Sequence, residues 1–219
     1  MIDSERFRQI RSMLRRRQPD LTVVMDNVNK PHNLSALIRS CDAVGIHDLH
    51  AVSKQRSIHT RQHAAAGSSR WTRLHLWHEI KEPCSALRRE GMQLLAATNV
   101  AAAVDFREID YTLPTAVILG AEWDGVSKEA IGEADRTIMV QTHGMVESLN
   151  VSVAAAVILF EAERQRSLKG MYRELRMEEE QYRRLLFELS YPRLAEQLTL
   201  KKLPYPALDE DGGIFPLEM

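Results

Sequence analysis

Three segments of this 219-residue chain bring polar and charged side chains to places where a ligand can be met. In KPHNLSALIRSCDAVG, Asn33 lies just after Pro31, where a helix is expected to start, and Arg39 follows nearly two turns later. The amide can cap that helix, and two turns of separation predicts that both residues lie close to one face. An arginine held there needs a carboxylate or a phosphate, because its planar fork of donors fits either. In ILGAEWDGVS an apolar run ends at Gly120 and is followed by Glu122 and Gly125. Glycines at a strand end let a backbone come close to a ligand, and Glu122 adds a charge at that mouth. In HGMVESLNVSVAAAVILFEAERQR, Glu147, Ser148 and Asn150 run into a helix whose first turns carry the small residues Ala154, Ala155 and Ala156. The first N–H groups of such a helix have no partner within it and can hold a ligand. Each segment taken singly is equally a capped core helix, a surface arginine or an ordinary glycine turn.

The elements that must position these residues follow a βαβ rhythm. LTVVMD at 21–26 reads as a buried strand, a helix opens at Pro31 and closes near Gly45, and a short strand follows at 49–52. An alternating strand at 71–77, a helix ended by Gly91, and strands at 92–98, 115–120 and 137–140 continue the pattern, with a long helix at about 150–165. Strands alternating with helices imply a mainly parallel sheet covered on both faces, and such sheets bind ligands at the carboxyl ends of their strands. Before this domain, Phe7, Ile10 and Leu14 recur at helical spacing over 3–17; after Gly170 two charged amphipathic helices precede a Pro- and Gly-rich stretch. The resulting divisions are 1–18 as an N-terminal helical arm, 19–168 as the catalytic domain and 169–219 as a C-terminal helical extension and tail.

Composition narrows the class. With 44% hydrophobic and 27% charged residues the chain is neither disordered nor fibrous. No apolar run is long enough for a membrane span, and the charged start MIDSERFRQIRSMLRRRQ is unlike a signal peptide, so a soluble cytoplasmic protein is expected. Cys41 and Cys84 lack metal-like spacing, so neither a zinc site nor a disulfide is expected. His59 and His63 are spaced for a metal but have no third ligand nearby, and no metal site is expected. Trp71, Trp77 and Trp123 are able to stack on bases or to pack internally. Neither G-x-G-x-x-G nor G-x-x-x-x-G-K-[ST] occurs, which removes the usual support for a dinucleotide or P-loop site. Net charge is −1, yet basic residues cluster: Arg6, Arg8, Arg11, Arg15, Arg16 and Arg17 fall together without an acid, and so do Lys54, Arg56, Arg61, Arg70 and Arg73. Such clusters are either solvated faces or sites that neutralise RNA phosphates.

In their order along the chain, the three segments resemble the signature motifs of the SpoU family of SPOUT methyltransferases. RRRQPDLTV, CDAVG, AAAGS, DFREIDYT, SLNVSVA, the LLFE, YP and LA stretch, and LPYP extend the resemblance over about 11–206. The resemblance implies an α/β fold, the SPOUT α/β knot, in which a Rossmann-like, mainly parallel sheet carries a C-terminal trefoil knot, with helical extensions at both ends. It implies S-adenosyl-L-methionine as cofactor, held by Thr98, Leu119, Gly120, Val140, Ser148 and Leu149, and a catalytic set of Asn33, Arg39, Glu122, Ser148 and Asn150. The activity implied is methylation of the ribose 2'-hydroxyl of the guanosine at position 18 in the tRNA D-loop. Alternatives are the same chemistry on rRNA or at another tRNA position, or a non-catalytic RNA-binding factor. Arg39 is expected to act as a fixed cation, oriented by Asn33 and Glu122, since guanidinium stays protonated far above neutral pH. The expected partners are tRNA, met by Arg8, Arg11, Arg15, Arg16, Arg17, His32 and Arg61, and a second copy of the chain joined through the knot region; neither DNA nor a membrane is expected.

Overall fold

The computed structural model describes residues 2–53 and 70–215. In chain order the elements are α1 (Ser4–Arg15), β1 (Leu21–Asp26), α2 (Pro31–Ala43), β2 (Asp48–Val52), β3 (Arg73–Trp77), α3 (Lys81–Arg89), β4 (Gln93–Ala97), β5 (Val104–Asp105), β6 (Thr115–Gly120), α4 (Lys128–Glu133), β7 (Arg136–Met139), α5 (Val151–Leu168), α6 (Glu179–Ser190) and α7 (Pro192–Leu200). They form two compact units: Gln18–Gly170, and Met1–Arg17 with Met171–Met219.

In the first unit, the described residues form a seven-stranded sheet in the order β3-β2-β1-β6-β4-β7-β5. Every neighbouring pair is parallel, so all carboxyl ends open onto one edge. The central strands β1 and β6 are buried at every position, as expected for strands covered on both faces. One core lies between the sheet and α2 and α5, with Leu34, Leu37, Ile158 and Leu159 against Val23 and Val117. A second joins Val24, Leu94 and Ile118 to Cys84 and Leu87 of α3 and Ala130 of α4. Both cysteines are buried and free. Patterning missed β5 and the 3-10 turn Phe106–Glu108 that follows it, since two residues cannot display a strand period.

The carboxyl end of α5 is fixed by a buried arginine. Arg166 is fully buried and makes five hydrogen bonds: Nε donates to the Tyr111 carbonyl (2.9 Å), Nη1 to Gln18 Oε1 (3.1 Å) and Asp20 Oδ1 (2.6 Å), and Nη2 to the carbonyls of Asp20 (3.0 Å) and Leu113 (3.1 Å). A guanidinium out of water is tolerated only when its donors are used and a carboxylate is present, and both conditions hold here.

In the second unit α1 packs against α6. Phe7, Ile10 and Leu14 form the buried stripe of α1, facing a core that includes Leu185 and Phe187 of α6. Phe187 stacks on Tyr205 with ring centroids 4.8 Å apart. Tyr191 donates its hydroxyl to the Gly212 carbonyl (2.6 Å), and Arg11 donates to the Glu210 carbonyl (3.1 Å). Gly212 has φ +89° and presses on the Phe7 ring, where a Cβ would collide. Among the described residues, no helix in either unit is long and apolar enough to cross a membrane.

Candidate active site

The neighbouring strands β6, β4 and β7 end on the same edge, so the segments that follow them meet. They enclose a cavity of about 520 Å³, whose far wall is the start of α5. Thr98 and Asn99 come from the end of β4, Leu119 and Gly120 from β6, Glu122 from the turn beyond it, and Met139 and Val140 from β7. Ser148, Leu149 and Asn150 lead into α5. All six residues expected to hold the cofactor line this one cavity, together with Glu122 and Asn150.

Each segment is fixed by a local device. After β6 the chain folds back so that Ala121 pairs with Gly125 and the Gly125 N–H reaches the Ala121 carbonyl (2.9 Å). The returning backbone of Gly125 and Val126 occupies the space a Cβ on Gly120 would need, and Gly125 itself has φ +65°. Buried Asp26, at the end of β1, accepts from the Ser127 N–H (2.8 Å) and from Asn27 Nδ2 (2.8 Å), anchoring the far side of this turn. Asn99 Nδ2 donates to the Glu147 carbonyl (3.1 Å), tying the segment after β7 to the end of β4. Asn150 is the N-cap of α5: its Oδ1 accepts from the N–H (2.9 Å) and hydroxyl (2.7 Å) of Ser152, while Nδ2 donates to Asn33 Oδ1 (3.3 Å).

That last bond revises the reading of Asn33. The helix begins at Pro31 with Lys30 as its cap residue, so Asn33 sits inside the first turn, buried, and receives a bond from Asn150 rather than capping α2. Arg39 does not share its face. Six residues at about 100° each leave the two roughly 120° apart, and Arg39 is exposed where Asn33 is buried. The expected orientation of Arg39 by Asn33 and Glu122 is therefore not found: Asn33 bonds to Asn150, Glu122 pairs with Lys30, and Arg39 has no partner among the described residues. Ser148 is exposed at the cavity rim.

Among the residues expected to meet RNA, Arg8, Arg15, Arg16 and His32 are exposed, Arg8 also pairs with Glu5 (3.1 Å), and Arg11 is half-buried. Arg17 is corrected: it is only 1% exposed, so it is no surface cation. Arg61, like His59, His63, Lys54 and Arg56, lies outside the described residues. Of the tryptophans, Trp77 donates Nε1 to His50 Nδ1 (3.1 Å), which requires that nitrogen to be unprotonated. Burial, with His75 stacked beside it, pushes the His50 pKa down to about 4, consistent with a neutral ring. Trp123 is 88% exposed.

Comparison with known proteins places this geometry. The SpoU rRNA methylase family matches residues 20–160, and the SpoU rRNA methylase C-terminal family matches 164–216. The chain belongs to the SpoU family. It is 50% identical over 211 residues to tRNA (guanosine(18)-2'-O)-methyltransferase of Escherichia coli K12, spanning 95% of this chain and 92% of that one. The crystal structure of the Aquifex aeolicus TrmH/SpoU tRNA-modifying enzyme superposes with TM-score 0.82 at 37% identity, covering 86% of this chain and 96% of that one. The SpoU methyltransferase AviRb of Streptomyces viridochromogenes, solved with AdoMet, gives TM-score 0.63 at 27% identity over 68% of this chain and 59% of that one.

Within this SpoU site, sequence reasoning overlooked Lys30, Asp26 and Asn99. Lys30 belongs to a segment already singled out, but its partner Glu122 lies in another segment and no spacing rule links them. Asp26 ends an apolar strand, where a buried carboxylate bonded to a backbone N–H is a signal that strand patterning ignores.

Proposed function

We infer that this protein transfers the methyl group of S-adenosyl-L-methionine to the ribose 2'-hydroxyl of guanosine 18 in the D-loop of tRNA. The observation that carries the reading is the single cavity that gathers Thr98, Leu119, Gly120, Val140, Ser148 and Leu149 at the carboxyl ends of three adjacent strands, with Glu122 on its wall. Its size suits a nucleoside cofactor, and its lining includes apolar Leu119, Ile138, Val140 and Leu149. Glu122, paired with Lys30, places a carboxylate on that wall. The identity to tRNA (guanosine(18)-2'-O)-methyltransferases supports the substrate.

The cofactor supplies an electrophilic methyl group, and the chain's own residues align and activate the acceptor. Positioning carries much of the rate in such a displacement. Asn150 and Asn33 fix the start of α5, on the cavity wall, and the first turn of α2 to one another, which sets the relative placement of cofactor wall and substrate side. Arg39 keeps its charge at any working pH, so its part is to bind RNA phosphate and to stabilise negative charge developing on the 2'-oxygen. Its exposure and lack of a partner among the described residues leave its donors available for that role. The exposed cations Arg8 and Arg15 of α1, and Arg16 at its C-cap, add phosphate contacts, and with them salt-dependent affinity.

A homodimer is part of this reading. Val153, Val157 and Phe160 recur at helical spacing on α5 and are 49%, 37% and 51% exposed, an apolar stripe preceded by exposed Met145 and Val146. A second copy would cover it; sedimentation giving a monomer at micromolar concentration would remove this element. The central experiment is transfer of labelled methyl from S-adenosyl-L-methionine to unmodified tRNA, with the modified nucleotide mapped, for the wild type and Arg39→Ala. Label on the D-loop guanosine ribose that disappears in the variant is the expected result. Transfer to rRNA instead, or to no RNA, would overturn the substrate or the reaction.

A further inference from the structure

We propose that Lys30 is a positioning residue of the methyl-transfer site, holding Glu122 and the 121–125 turn against the start of α2 so that one contact sets both the cofactor cavity and the helix carrying Arg39. This rests on the cavity being the cofactor site.

Three observations converge on Lys30. Its ammonium pairs with the Glu122 carboxylate, which lines the cavity and whose side chain is only 17% exposed. The same ammonium lies 5.5 Å from the centroid of the Trp123 ring, the next residue in the turn, within cation–π range. Lys30 is also the cap residue of α2, and its side chain makes no capping bond there, so a displacement of Lys30 reaches the helix start directly through the backbone. An isolated surface ion pair would carry little weight. This one joins two separate segments at the cavity wall and is doubled by the ring contact.

The arrangement is closed by the bond from Asn150 to Asn33, one turn further along α2. The first turn of α2 is thereby attached to the segment after β6 through Lys30 and to the start of α5 through Asn33. Those are two of the three segments that enclose the cavity. A change in the 121–125 turn therefore reaches α2, and with it Arg39, through Lys30. Asn33 carries the corresponding link from α5. The alternative for a half-exposed lysine in an RNA enzyme is a phosphate contact, which would leave cofactor affinity alone.

The test separates these roles. Binding of S-adenosyl-L-homocysteine is measured by calorimetry on the full-length wild type, Lys30→Met and Lys30→Arg, alongside kcat and KM for tRNA. Lys30→Met is expected to weaken cofactor binding about fivefold, the scale of a partly exposed ion pair with one cation–π contact. Its kcat falls, while KM for tRNA moves by less than about twofold. Lys30→Arg, which keeps the charge and the ring contact, recovers most of both losses. Unchanged affinity in Lys30→Met while the wild type binds normally would overturn the proposal. So would a raised tRNA KM as the sole defect, the signature of a phosphate contact. A wild type that does not bind S-adenosyl-L-homocysteine would instead overturn the cavity reading, and this inference with it.

Discussion

At its carboxyl end, α5 is held by Arg166, a side chain without exposed surface whose five hydrogen bonds reach two side chains and three backbone carbonyls. At its amino end the same helix begins at Asn150, an exposed residue with one bond to Asn33 and two to Ser152, among exposed Glu147 and Ser148. The difference separates two tasks on one helix. The far end fixes where α5 lies against the sheet, so the near end can leave polar groups uncommitted around a cavity without the helix drifting. Buried polar groups left unpaired are costly, and at the near end exposure to solvent removes that cost.

Substitutions at three positions test this contrast, in decreasing order of effect on stability. Arg166→Met removes a buried guanidinium and its five hydrogen bonds, the ion pair to Asp20 among them, and is expected to lower the unfolding free energy by about 3–5 kcal/mol, measured by urea titration. A loss under about 1 kcal/mol would mean the far end is not the anchor. Asn150→Ala removes the cap of α5 and should cost about 1 kcal/mol. Asn150→Asp keeps the capping oxygen and loses the donor to Asn33, so stability should return while methyl transfer stays impaired. Recovery of both would break the assignment of Asn150 to the site. Arg39→Ala, the inactive variant of the methyl-transfer assay, is expected to stay within about 0.5 kcal/mol of wild type, because an exposed arginine with no partner among the described residues has little to lose. A large drop in melting temperature would show that Arg39 belongs to the fold.

The contrast also marks what the sequence could disclose. Periodicity located most of the strands and helices to within a few residues because β1 and β6 are mostly apolar runs and α1 repeats Phe7, Ile10 and Leu14. The segments holding Asn33, Glu122 and Asn150 were legible as polar residues at element ends. Their pairings were not. The partner of Glu122 is Lys30 rather than Arg39, and that of Asn33 is Asn150, because contacts between segments depend on strand order, which no local pattern encodes. The place of Arg39 was misjudged for a different reason: six residues were taken as nearly two turns, and the remaining third of a turn puts it on another face. Arg166 and Arg17 look in sequence like the other arginines, and only the fold distinguishes a buried guanidinium from a surface one.

The packing of α1 against α6, with Phe7 pressed on Gly212, has a consequence for synthesis. A ribosome releases Phe7, Ile10 and Leu14 well before Leu185 and Phe187 exist to cover them. At about 5–20 residues per second, the apolar stripe of α1 stays uncovered for on the order of ten seconds or more in each round of translation. Through that interval α1 depends on whatever shelters nascent chains, and α6, made later, completes its burial.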